Sequence, residues 1–186
     1  MDIPSAVRAI IDRTIDAEGG ERVTDDPADR GGLTKFGITQ ATWAAFCETP
    51  CSASVAGATR EQATRIYAER YWFAPQIHRI HGISPDLAFL MFDWGVTSGP
   101  ATPARALQRA LNALNSNGAD YEDIAADGVL GRMTISALMA FKARRASDGM
   151  RTLIELVRSL RRVFYLELSE RDRTQERFAY GWQARV

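Results

Sequence analysis

Soft metal ligands are scarce in this chain of 186 residues: it has two cysteines, Cys47 and Cys51, and two histidines, His78 and His81. These fall short of a four-ligand set, so neither a metal nor another cofactor is expected. No run of about 18 apolar residues occurs, which argues against stable membrane insertion. Near the N-terminus, Asp2, Asp12 and Asp16 interrupt the stretch where a secretion signal needs an unbroken apolar core, so synthesis in the cytoplasm is expected. Net charge is also missing. Twenty-three Lys plus Arg balance twenty-three Asp plus Glu, so the molecule as a whole exerts no long-range pull on polyanions, and nucleic acid is not an expected partner. There is no Gly- or Ser-rich linker and no fixed repeat, so any two subdomains should share packing.

What is present suits a folded chain. Hydrophobic residues make up 46% of the sequence, enough for the core of one ordinary domain or of two small ones. Charge is uneven along it: up to Asp93 there are 9 basic and 13 acidic residues, and beyond it 14 and 10. The most basic stretch, Lys142 to Arg162, holds seven cations against Asp148 and Glu155. It reads first as a solvated helix face and second as a surface for an anionic partner such as a wall polymer.

Helical periodicity dominates. Val7, Ile10, Ile11 and Ile15 form one stripe, with Pro4 suited to the first turn and Glu18 closing the helix before Gly19-Gly20. Between Glu21 and Phe36 the chain is dense in Asp, Gly and Pro and reads as turns with a short irregular hairpin, the one plausible β region. Helices then follow after Thr39, after a capping box from Thr59 to Gln62, and after Ser84-Pro85 before the nearly all-apolar "LAFLMFDWGV". Further helices are expected from Thr102-Pro103, over Thr134 to Arg145, and over Met150 to Ser169. The fold is mainly α.

One constellation has chemical promise: Glu18 at a helix end, then Asp25, Asp26, Asp29, Gly31, Gly32 and Thr34. A carboxyl at a helix C-terminus feels the negative end of the dipole and, when partly desolvated, keeps its proton to higher pH, as a general acid must. A second carboxylate would hold charge or activate water, the pair that glycoside hydrolysis requires. Spacing alone also fits ordinary capping and turn formation.

The wording of the segment is more specific. "EGGERVTDDPADRGGLTKFGITQATW" resembles the signature of the glycoside hydrolase family 108 lysozymes, N-acetylmuramidases common among phage endolysins. It does so through Glu18-Gly19-Gly20, Asp26-Pro27, Asp29, Gly31-Gly32, Thr34 and Gly37-Ile38-Thr39. Glu21 and Arg30 depart from the family habit of an aromatic and a proline at those places. "ERYWFAP" and "LMFDWGVTSGP" continue the resemblance. "RALQRALNAL", "ADGVLGRMTISAL" and "GWQARV" are similar to the peptidoglycan-binding segment often attached to this family, with Leu107-Gln108, Asp127-Gly128, Gly131 and Thr134 at its recurring positions.

The resemblance implies a lysozyme-like α+β fold with a small β region after the first helix. Residues 1–95 would be the catalytic region, and 96–186 a helical peptidoglycan-binding region packed on it. It implies Glu18 as general acid. The second role goes first to Asp29 and next to Asp26. Thr34 would orient water through its hydroxyl, or else stands where it does for strand propensity. Sugar rings stack on aromatic faces, and Phe36 and Tyr71 are the expected groove residues, whereas Trp43 and Trp94 belong to core helices. The expected activity is cleavage of the β-1,4 bond between N-acetylmuramic acid and N-acetylglucosamine, with lysis of bacterial cells. The expected partner is bacterial peptidoglycan, and the expected state a monomer. Release to the wall in the periplasm would need a membrane-permeabilising protein. The alternative is a muramidase fold that binds or localises on peptidoglycan without turnover.

Overall fold

The computed structural model describes residues 3–17, 19–25, 32–46 and 53–186, in a fold that is mainly helical with one small antiparallel sheet. The chain forms two compact units, Met1–Trp72 and Phe73–Val186. None of the described helices is long and apolar enough to cross a membrane.

In the first unit, helix α1 (Ser5–Ala17) buries the expected stripe of Val7, Ile10, Ile11 and Ile15. Three two-residue strands follow, β1 (Val23–Thr24), β2 (Thr34–Lys35) and β3 (Ile38–Thr39), hydrogen-bonded in that order. The third lies just beyond the expected β region. Lys35 pairs with Ile38, so Phe36 and Gly37 alone make the turn, both at positive φ (56° and 71°). That is the hairpin turn whose twist suits adjoining strands, and it normally carries Asn-Gly.

Helix α2 (Gln40–Phe46) starts where the Thr39 hydroxyl accepts from the Thr42 N–H at 3.3 Å. Helix α3 (Arg60–Ala68) opens with the expected capping box: Gln62 N–H donates to the Thr59 hydroxyl, and Thr59 N–H to the Gln62 side chain. It lies against α1, and Arg60 at its first turn reaches Asp12 (3.2 Å) and Asp16 (2.9 Å) of that helix.

The second unit contains α4 (Ile77–His81), α5 (Pro85–Ser98), α6 (Ala101–Ala113), α7 (Arg132–Arg171) and α8 (Glu176–Arg185). Ser84 caps α5, which buries Leu87, Ala88, Met91, Phe92 and Trp94. These pack in a core with Leu107 and Leu111 of α6 and Leu138, Leu153 and Val157 of α7. A buried polar tie crosses from α7 to α5: Arg161 donates to Asp93 at 2.7 Å, and the Tyr165 and Thr97 hydroxyls lie 2.9 Å apart.

Two helices were expected over the span of α7, and the structure joins them end to end across a kink. Ala146 there has φ 51° and ψ −148°, backbone normally left to glycine. Gly149 makes room for it, since a Cβ at that position would meet the Cβ of Arg145 at 2.1 Å.

The motif residues of the C-terminal part converge on one side chain. The buried Gln108 amide of α6 donates to Asp127 (2.8 Å), to the Val129 carbonyl (3.0 Å) and to the Thr134 hydroxyl (3.1 Å), while its oxygen accepts from Gly128 N–H (2.9 Å). Gly128, at φ 84°, sits so close to α6 that a Cβ would lie 3.0 Å from the Ala101 carbonyl oxygen. The recurring positions therefore hold the loop before α7 onto α6.

The basic stretch is largely neutralised within the fold. Arg144 and Arg145 meet Asp120, Arg151 meets Asp148, Arg158 meets Glu155, and Arg161 meets Asp93. Most of the segment is the solvated helix face first expected, with Lys142, Arg144, Arg145, Arg151 and Arg162 exposed, whereas Arg161 is buried.

Two stability measurements follow. The Val129 N–H and the Gln108 amide hold the Asp127 carboxyl below its ordinary range. A folded-state value lowered in this way contributes stability that is present above the unfolded value, near 3.9, and is lost as pH falls through the folded one. Thermal unfolding should therefore show Asp127→Asn less stable than wild type at pH 7, with the gap closing below about pH 4. A gap independent of pH would remove the carboxylate from this role. At the kink, Ala146→Gly should raise stability by about 1 kcal/mol through relief of backbone strain, and Gly149→Ala should lower it by about 2 kcal/mol or more through overpacking. Denaturant titration of both variants checks the signs.

Candidate active site

Glu18, Asp26 and Asp29 lie outside the described residues, as do Cys47 and Cys51. The structure describes the frame around the acidic positions. At the end of α1, Gly19 N–H donates to the Asp16 carbonyl (3.3 Å) and Gly20 N–H to the Ile15 carbonyl (2.9 Å). With φ of 98° and 59°, the two glycines give the paired bonds and left-handed backbone of a Schellman termination. The Gly-Gly after Glu18 is thus explained by the helix stop. Asp25, read as turn surface, is exposed.

Thr34 stands in the middle strand, opposite Thr24 on one side and Thr39 on the other. Its hydroxyl donates to the Gly32 carbonyl at 2.9 Å. The proton is therefore committed, and an incoming water or sugar hydroxyl would meet Thr34 as an acceptor.

Phe36 is placed otherwise than a groove residue would be. Its side chain is 1% exposed, the Lys35 ammonium lies 5.0 Å from its ring centroid, and its carbonyl accepts from the buried Tyr67 hydroxyl at 3.1 Å. A ring so enclosed offers no face to a sugar; it anchors the turn in the core. Trp43 and Trp94 are buried, as their helical positions suggest.

Tyr71 is half-buried, tilted against Tyr67 at 5.8 Å between ring centroids. It lies on a π-helical turn, Glu69–Phe73, that succeeds α3. Beside it the exposed Arg70 places its guanidinium 5.7 Å from the Tyr71 ring centroid and donates to the Thr42 hydroxyl at 3.1 Å. Thr42 in turn accepts from the Thr39 hydroxyl at 3.2 Å, and Thr39 is the cross-strand neighbour of Thr34. Strand β3, α2 and the π turn are therefore linked by hydrogen bonds through Thr39, Thr42 and Arg70, with Thr34 beside Thr39 in the sheet.

The sequence singles out Thr34 and Tyr71 as candidates and carries Thr39 in the Gly37-Ile38-Thr39 motif, but it does not single out Thr42 or Arg70. The available signal is the dipeptide Arg70-Tyr71 within "ERYWFAP", a cation next to an aromatic ring. Among the described residues no cluster of three or more His, Cys, Asp or Glu is placed to hold a metal ion.

Residues 11–99 match the family model described as glycosyl hydrolase 108, and residues 102–186 match the model described as predicted peptidoglycan domain. The solved structure of Brucella abortus SagA is similar to this chain at 27% identity and a TM-score of 0.62, covering 96% of this chain and 88% of that one. No curated protein matches the chain in sequence.

The different settings of the two aromatic rings can be measured. Phe36→Ala should cost about 3–5 kcal/mol, the usual range for emptying an aromatic core site. Tyr71→Ala, at a half-buried position, should cost roughly 1 kcal/mol. Urea unfolding of the two variants separates them, and equal losses would make Tyr71 a core residue too.

Proposed function

Because the chain belongs to the glycosyl hydrolase 108 family through residues 11–99 and carries a predicted peptidoglycan domain over residues 102–186, we propose that it hydrolyses the β-1,4 bond between N-acetylmuramic acid and N-acetylglucosamine. The observation that carries this reading is the family match, which contains Glu18, Asp26, Asp29 and Thr34 in the order read from the sequence.

In the proposed mechanism Glu18 delivers its proton to the leaving glycosidic oxygen. It follows directly on the last residue of α1, and the carbonyl end of a helix disfavours a carboxylate and so favours the protonated acid. Asp29, or in second place Asp26, supplies the negative charge or activates the water on the other side of the sugar ring. Thr34, with its hydroxyl proton engaged by Gly32, would receive a hydrogen bond from that water and fix its direction. The peptidoglycan domain would keep the enzyme on its insoluble substrate. Lysis of a host cell from within, as an endolysin released by a membrane-permeabilising protein, is the biological setting we propose.

The deciding experiment is mass spectrometry of the products released from purified sacculi by wild type and by Glu18→Gln. New reducing-end N-acetylmuramic acid from wild type, lowered by about 10²- to 10⁴-fold in a folded Glu18→Gln protein, is the expected result for a general acid. Anhydro-muramic ends would make the enzyme a lytic transglycosylase. Sacculus binding without products would favour the non-catalytic reading.

A further inference from the structure

We propose that Arg70 and Tyr71 form a subsite for the acidic substituent of the muramic acid ring, a carboxylate carried on its lactyl ether or on the attached peptide. The proposal rests on the peptidoglycan reading above. Its starting point is how the cations of the first unit are used. Arg8 and Arg65 pair with Glu61, Arg60 pairs with Asp12 and Asp16, and Lys35 donates to the carbonyls of Ala56 and Ala58. Arg13, Arg22 and Arg70 are exposed and have no carboxylate partner among the described residues, and of these three it is Arg70 whose side chain is held in place.

Two contacts hold it. One terminal nitrogen donates to the Thr42 hydroxyl, and the guanidinium rests against the Tyr71 ring. Among the described residues the rest of the planar fork has no partner, which leaves its donors for the two parallel bonds by which arginine grips a carboxylate. Ordering the long side chain beforehand lowers the entropy lost when the anion binds. The π turn adds a separate indication. Such turns are rare and occur frequently at functional sites, and this one carries both residues.

The location fits the ligand. Thr42 is bonded to Thr39, whose cross-strand neighbour is Thr34, so the cation is tied to the strand that lies beside the proposed water-orienting residue. In a glycan of alternating N-acetylglucosamine and N-acetylmuramic acid, negative charge is carried on the substituent of the muramic ring. Arg70 there would distinguish a muramyl polymer from an uncharged chitin-like one, with Tyr71 offering an apolar face to the adjoining sugar.

The test uses the full chain with Arg70→Gln and Arg70→Lys. Initial rates are measured on sacculi at varied concentration. Binding is measured to three soluble probes: an N-acetylglucosamine tetramer, a peptide-free disaccharide with a free lactyl carboxylate, and a disaccharide-peptide. Arg70→Gln should raise KM about tenfold with kcat within about twofold, as expected for loss of one charge-assisted contact made before the chemical step. It should lose about tenfold in affinity for a carboxylate-bearing probe and nothing for the tetramer, and Arg70→Lys should recover part of the loss. A loss confined to the lactyl probe assigns that carboxylate; one confined to the disaccharide-peptide assigns the stem peptide. If Arg70→Gln keeps the wild-type KM and affinities while reducing ends are still released, the subsite is overturned and the hydrolase reading stands. An equal loss on the tetramer overturns charge recognition. A wild type that releases no reducing ends overturns the hydrolase reading, and the subsite with it.

Discussion

A buried primary amide has to be satisfied at both of its ends, and the second unit is organised around one that is. Gln108 is 1% exposed, and its nitrogen and oxygen together engage Asp127, Gly128, Val129 and Thr134. An apolar residue there would leave the Gly128 N–H without its partner, and an orphaned buried group costs roughly 1–3 kcal/mol. The arrangement also explains the glycine: the loop comes so close to α6 that no Cβ fits at Gly128 without displacing Ala101. The route of the chain from α6 to α7 is thus specified by hydrogen bonding, and the apolar residues pack around it.

The same accounting separates structural from functional charge. Lys142 to Arg162 looks in sequence like a polyanion surface, but Asp93, Asp120, Asp148 and Glu155 engage five of its arginines. Most of these pairs are exposed and contribute little to stability. Their effect is to lower the field that the stretch presents to solvent. Arg70 differs because its partners among the described residues are a hydroxyl and an aromatic face, which orient the guanidinium without neutralising it. A run of cations in a sequence is therefore a poorer guide to anion binding than the kind of partner each cation has.

Much of the helical frame was legible because its signals are local. The α1 stripe, the Thr59 capping box and the Ser84 cap each depend on residues within about one turn of one another, and each stands where the sequence puts it. The joining of two helices into α7 was less legible. The weak helix signal near Ala146 and Gly149 is present, but whether it ends a helix or kinks one depends on whether the chain tolerates φ 51° at an alanine. Of the proposed site, Thr34 and Tyr71 were readable as types in a motif. Thr39 stood in the same motif without its role, and Thr42 and Arg70 were not readable, since the association of the three runs through strand register and a π turn, neither of which has a local sequence signature.

Phe36 shows why the β region was read short by one strand. A two-residue hairpin turn with both residues at positive φ usually announces itself as Asn-Gly, and a bulky aromatic in the first position is strained there. The strain persists because the same residue is buried: its ring packs in the core, and its carbonyl receives the Tyr67 hydroxyl. Burial of one side chain thereby fixes the turn, the turn fixes the register Thr34 to Thr39, and the register puts Thr39 where it can bond Thr42. The placement of the polar chain that ends at Arg70 is in this way a consequence of the burial of Phe36 in the hairpin, the tertiary term that sequence periodicity does not contain.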